Sequence, residues 1–243
     1  MRITAPKSVS SQRWVRAGAV VGLLACALLC VACGSPQQIR HYQPEVVTQQ
    51  IESVNKPPSR VVLAVEDFSA GTAYDEQRIV YRAADYKFDY YHFHRWAAPT
   101  GQLVSDALRE VYRETGAFKA VVSSYATRAD VVLSGRVIAL EEIDRAKDEW
   151  LGRIHLNMRL RDAKTGELLW SETLRVEEPM KGQNPDGLAA AISRGLTSIG
   201  VDTTDTIVEF GQQSVRQTTR QPAGGQSPFK REMEKQQEIE ESK

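Results

Sequence analysis

The sequence predicts an α+β fold: a mostly antiparallel sheet with two helices packed on one face. Three observations carry that expectation. Residues 153–161 alternate, with Ile154, Leu156, Met158 and Leu160 set between Arg153, His155, Asn157, Arg159 and Arg161, the period of a strand wet on one face. Lys164-Thr165-Gly166 follows as a hairpin turn, so Glu167 to Glu177 returns antiparallel. Two other stretches repeat their apolar residues at helical spacing instead.

Taken in order, the folded part runs from residue 59 to residue 210. Val61-Val62-Leu63-Ala64-Val65 is a continuous, β-branched run, which reads as a buried strand. Gln77 to Tyr81 and Tyr86 to Phe93 form two more, joined by a turn around Ala83-Ala84-Asp85. Leu103, Val104, Ala107, Leu108, Val111 and Tyr112 then make one helical stripe, opened by Pro99-Thr100 and closed by Gly116. Strands follow at Ala117 to Val122 and Ala129 to Leu140. Asp186 to Phe210 is the second helix, with Leu188, Ala191, Ile192, Ile199 and Val208 toward the sheet. Gly195 and Gly200 lower its intrinsic propensity.

The ends of the chain read differently. Arg2, Lys7, Arg13 and Arg16 precede an uncharged run from Ala17 to Ala32, and no acidic residue appears before Glu45. A basic head on a short apolar run is a secretory leader, here residues 1–32. The run is shorter than the ~20 residues a bilayer-spanning helix needs. Val31-Ala32-Cys33 resembles a bacterial lipobox, making Cys33 the expected lipid attachment site; Leu23-Leu24-Ala25-Cys26 is the rival box. Two or more acyl chains hold a protein at a membrane without a spanning helix. Gly34 stands where aspartate would resemble an inner-membrane retention signal, which points to the outer membrane, facing the periplasm. Residues 33–58, ending in Pro57-Pro58, read as a lipidated tether with a short strand near Glu45 to Thr48. Flexible, it spans about 25–30 Å, so the domain need not touch the headgroups. Residues 211–243 are polar and charged, a composition expected to remain disordered.

Composition narrows the chemistry. Lys plus Arg and Asp plus Glu number 31 each, which speaks against a nucleic-acid reader. Cleavage before Cys33 removes four basic and no acidic residues and leaves one cysteine, consumed by lipid. Thiol catalysis and cysteine-zinc sites go with it. His92 and His94 lie two apart on a predicted strand, and Asp89 or His155 would have to complete any metal set; hydrogen-bonded surface histidines are the simpler reading. Glu141-Glu142 and Glu177-Glu178 read as solvated strand ends. No nucleophile elbow, phosphate loop or zincin helix is present. The expectation is therefore no cofactor, no metal and no enzyme activity.

Residues 74–118 are the most informative. Tyr74, Tyr81, Tyr86, Tyr90, Tyr91 and Tyr112 join Phe88, Phe93 and Trp96 there, more rings than one face can bury. The segment reads either as core alone or as core plus a partner surface. Arg78-Ile79-Val80-Tyr81-Arg82, Tyr90-Tyr91, His94-Arg95-Trp96-Ala97, Pro99, Leu103 to Leu108 and Gly116-Ala117-Phe118 resemble the ABC-type transport auxiliary lipoprotein family. The opening Cys33-Gly34-Ser35-Pro36 and Leu133-Ser134-Gly135-Arg136-Val137 are similar too. Two departures stand out: the tether lacks the compact strand often found after the lipid cysteine, and the tail beyond Phe210 is extra.

That resemblance implies a non-enzymatic accessory subunit of a lipid transporter. It would dock a mammalian-cell-entry-domain protein at the outer membrane, in some cases as a homo-oligomeric ring, with Tyr90, Tyr91, His94, Arg95 and Trp96 as the candidate partner interface. A second reading is a structural or assembly lipoprotein that binds outer-membrane protein or peptidoglycan, resembling a TolB-type N-terminal module.

Overall fold

The computed structural model describes residues 37–51, 57–123 and 128–220. The expected leader, Cys33 and its rival Cys26, and everything beyond Arg220 lie outside the described residues.

One long strand organises the sheet. β1 (Arg40–Tyr42), β2 (Val62–Val65), β3 (Ser69–Ala70), β4 (Arg78–Ala84) and β5 (Lys87–Trp96) precede helix α1 (Thr100–Glu114). β6 (Ala120–Ser123), β7 (Val131–Ala146), β8 (Glu149–Asp162) and β9 (Leu168–Pro179) then lead to α2 (Pro185–Arg220). β7 pairs antiparallel with β8 along its whole length, and β8 with β9. The other edge of β7 is covered in turn by β2, β3 and β4, all parallel to it. β6 adds outside β2, while β5 and then β1 add outside β4. The expected fold class therefore holds: the long ladders are antiparallel, and the parallel ones, two to four residue pairs each, stitch short strands onto the spine.

Side-chain alternation sets which face is dry. Ile154, Leu156, Met158 and Leu160 of β8 are fully buried, each contributing about 1.5–3 kcal/mol by burial. On β7 the inward set is Val131, Leu133 and Val137, then Leu140, because a bulge at Ile138 shifts the register by one residue. Beyond the bulge, even-numbered residues face the helices. Glu142 therefore turns toward the helical side and Glu141 toward the opposite face. Both are buried, which corrects the expectation of solvated strand ends.

The helical stripes pack as their spacing requires: Leu103, Val104, Leu108 and Tyr112 of α1 share one core with Leu188, Ala191, Ile192, Leu196 and Ile199 of α2 and with the sheet, and Val111 is fully buried beside α2. Ile207 is fully buried, while Val208 is only partly so. Gly200 is needed where the helices cross: a Cβ there would lie 2.5 Å from Val111 Cγ1. A residue that weakens the helix in isolation permits the contact that stabilises it in the fold.

Two expected boundaries move. α2 continues ten residues past Phe210, and Ser214, buried, donates to the buried Asp162 carboxylate at the β8–β9 turn. Residues 211–220 thus belong to the domain. At the other end, the strand expected near Glu45 is instead β1 at Arg40–Tyr42. Residues 45–47 cross α2, with the Glu45 amide donating to Ser193 Oγ (3.0 Å) and the Val47 amide to Thr197 Oγ1 (3.1 Å). Arg-His-Tyr carries no apolar alternation, so the pairing of β1 rests on tertiary contacts. Among the described residues no helix is long and apolar enough to cross a membrane.

Candidate functional site

The five residues singled out on β5 do not share one surface. Strand alternation sends Tyr90 to the helix-free face and Tyr91 to the other. A register shift between the Arg78–Arg95 and Val80–Tyr90 pairs then bulges residues 91–94. Tyr90 is half-buried: its hydroxyl donates to Ala73 O (3.2 Å), and Arg78 lies 3.7 Å from the ring centroid. Such a stacked guanidinium is worth about 0.5–1 kcal/mol at an exposed position.

Tyr91 donates to Glu142 Oε2 (2.8 Å) and packs edge-on against Tyr81 and His94. Burial, reinforced by the Glu142 carboxylate, pushes its phenol far above the ordinary range. His94 Nδ1 meets the Tyr42 hydroxyl at 2.8 Å. Arg95 folds back to donate to Tyr91 O and His94 O (2.5 and 2.9 Å). Tyr91, His94 and Arg95 are partly exposed and stand around the junction of β1 with β5, while Tyr90, also partly exposed, lies on the other face.

Trp96 is different. It is 0% exposed and part of the main core, and its backbone amide donates to Gln77 O. The inward turn at the end of β5 buries it, so Trp96 leaves the candidate interface and joins the core.

The opposite face holds a polar centre that sequence reading missed. Glu141 accepts from Tyr74 (2.8 Å), from Arg82 Nε (3.2 Å) and from Arg153 Nε (2.9 Å). Tyr74, buried beside it, has its phenol pushed up to about 12 by burial and the Glu141 hydrogen bond. Nothing in the order of residues signals this centre, since its members come from the loop before β4, from β4, β7 and β8. The paired registers Val80–Glu141 and Glu141–Arg153 bring them together.

Among the described residues no three His, Cys, Asp or Glu side chains are placed to hold a metal ion. His92 and His94 keep separate neighbours, Phe93 for the first and Tyr42 and Tyr91 for the second. The groove of about 660 Å³ between residues 43–46 and α1 is lined in part by Leu103, Arg109 and Arg113, with no histidine or cysteine in its wall.

Fold and site together define an α+β module in which the short strand β1 is built into the sheet. A family model described as ABC-type transport auxiliary lipoprotein component matches residues 42–203, and the chain belongs to that family. It is a transport auxiliary family of lipoproteins, not a known enzyme family. None of the curated proteins matches the chain. Among solved structures, a Xanthomonas campestris protein of family DUF330 is similar at 23% identity, covering 73% of this chain and 99% of its own, with a TM-score of 0.64. An uncharacterised protein aligns at 16% identity over 70% of this chain and 99% of its own, with a TM-score of 0.56. Both share the fold. A PelC dodecamer from Paraburkholderia phytofirmans, 15% identical over 66% of this chain and 93% of its own, reaches only 0.36, too loose a likeness to bear on assembly here.

Proposed function

We propose that this chain is an outer-membrane lipoprotein, facing the periplasm, that serves an ABC-type lipid transporter as its docking subunit. Acyl groups on Cys33 hold it at the membrane. The partly exposed residues Tyr90, Tyr91, His94 and Arg95, spread over both faces of β5, receive a mammalian-cell-entry-domain protein, and several copies assemble as a ring around it. The subunit binds and does not turn over substrate. The observation that carries the reading is the family match, which spans both β5 and the β1 residue Tyr42 that braces it.

The test is capture from detergent-solubilised envelopes. The wild-type lipoprotein should retain the entry-domain protein. Tyr90→Ala and Arg95→Ala should reduce its recovery several-fold while their melting curves stay cooperative. Recovery of no entry-domain protein, or undiminished recovery with both variants, rejects the docking assignment. Trp96→Ala is not a usable probe, because truncating a fully buried tryptophan costs about 3–5 kcal/mol by itself. Cys33→Ser should leave the protein unprocessed or release it from the membrane, whereas Cys26→Ser should not.

A further inference from the structure

We infer that the β4–β5 hairpin is itself a membrane contact, its turn resting in the headgroup layer of the bilayer that holds the acylated Cys33. This rests on the Cys33 anchor proposed above and adds a surface to it. The residues concerned are Tyr86 and Phe88 at the turn, with Phe93 and Ile39 along the same wing of the sheet.

The first observation is exposure. Of the six large apolar side chains that the described residues leave exposed, four are on this wing: Tyr86 at 100%, Ile39 at 54%, Phe88 at 40% and Phe93 at 39%. The other two, Ile138 and Leu168, lie on β7 and β9. Among the described residues nothing covers this fully exposed tyrosine at the hairpin turn. Aromatic rings with a polar end, next to a lysine such as Lys87, are suited to the membrane–water boundary.

The second observation is direction and reach. β1 runs parallel to β5, with Arg40 opposite His94 and Tyr42 opposite Trp96. The N-terminal end of β1 therefore points toward the end of the sheet where β5 starts, the end that carries Tyr86. Cys33 precedes Ile39 by six residues, which span at most about 20–22 Å. From Phe93 back to Tyr86 the strand rises by roughly 23 Å. That reach is about sufficient for the acylated cysteine to attain the level of the turn. Because β1 is paired into the sheet, the short reach replaces the long flexible tether expected from composition.

The third observation is charge. Lys87, Arg40 and Arg82 on this wing stand against Asp85 and Asp89, a net charge of only +1, so the contact is made mainly by rings and not by attraction to anionic lipid. A patch this small would bind weakly from solution. Tethering raises its effective concentration and makes the contact intramolecular. Tyr90, Tyr91, His94 and Arg95 stand nearer the base of the hairpin, so the turn can meet lipid while the β1 junction stays open to a partner.

The experiment uses the mature, acylated lipoprotein in vesicles of phosphatidylethanolamine and phosphatidylglycerol. Acylation consumes the Cys33 thiol, so Tyr86→Cys, Phe93→Cys and Leu168→Cys each introduce a single labelling site. With a bimane label and lipids carrying a headgroup nitroxide, position 86 should be quenched at least two-fold, position 93 less, and position 168 not at all. The pattern should persist in phosphatidylcholine vesicles and at high salt. Protein that floats with the vesicles yet shows equal quenching at 86 and 168 overturns the hairpin contact and leaves the anchor standing. A label at 86 shielded from aqueous iodide but untouched by lipid nitroxide means a protein covers the turn, and also overturns it. Protein that fails to float rejects the anchor, and this inference with it.

Discussion

The Tyr91 hydroxyl donates to Glu142 Oε2 at 2.8 Å, joining the bulged part of β5 to a buried carboxyl on β7, two strands away. Glu142 faces the helical side of the sheet only because of the bulge at Ile138, and its Oε1 makes no hydrogen bond among the described residues. Burial holds its carboxyl above the ordinary range, with the Tyr91 hydrogen bond opposing and the charge of Asp144 adding.

A carboxyl whose folded value is raised binds more protons folded than unfolded. Its contribution to stability is therefore fullest below its ordinary value of 4.5 and declines as pH rises through the folded value. Tyr91→Phe removes the donor that serves the charged form. Urea melts should show a loss of about 1–3 kcal/mol at pH 8, shrinking toward pH 5. Equal losses at both pH values would show that Glu142 does not titrate in this window.

Glu141 on the opposite face has two cationic partners, Arg82 and Arg153, with side chains 19% and 18% exposed. Removing one leaves the other to hold the charge, whereas removing both leaves a buried carboxylate with Tyr74 alone. Arg82→Ala and Arg153→Ala combined should therefore cost about 0.5–3 kcal/mol more than the sum of the single losses. Strict additivity in a double-mutant cycle argues against a shared centre.

Ser214 and Asp162 decide where the domain stops. Burial alone would raise the Asp162 carboxyl, but the Ser214 hydroxyl and the amides of Thr165 and Lys164 outweigh it and hold it below the usual value of 3.8. Stability from such a group is present above its ordinary value and is lost as pH falls through the folded one. Ser214→Ala should cost about 1.5–3 kcal/mol at pH 7 and less at pH 3. A chain ending at Phe210 should lose at least as much; a truncated form that melts like the full chain contradicts the role given to residues 211–220.

Gly101 sits in the first turn of α1, where a Cβ would lie 2.0 Å from Phe68 O. A main-chain carbonyl cannot rotate away as a side chain would. Gly101→Ala should thus destabilise by about 1–3 kcal/mol, although alanine is the better helix former by about 1 kcal/mol. Thermal melts that rise in this variant would mean the helix start shifts to make room.

How much of this was legible in the sequence follows from what each residue answers to. The alternation of Ile154 to Leu160 and the stripe from Leu103 to Tyr112 are local periodicities, and local geometry turns them into a strand and a helix wherever they pack. Trp96 could not be sorted from Tyr90 and Tyr91 in the same way. In a run where nearly every residue is aromatic or charged, only the bulge between Tyr90 and Arg95 says which ring points inward. The end of α2 was hidden for a similar reason: Gly211-Gln212-Gln213-Ser214 carries almost no apolar signal, and its helix is held by a hydrogen bond to a residue 52 positions away.

The chain order alone thus determined an α+β module, two of its hairpins, its two apolar helices and its family, because those depend on spacing between near neighbours. Tertiary structure alone decided that Glu141 and Glu142 are buried on opposite faces, that Trp96 is core, and that Arg40 to Tyr42 belong to the sheet. Each of those turns on a register between distant strands, and a one-residue bulge is enough to exchange the two faces.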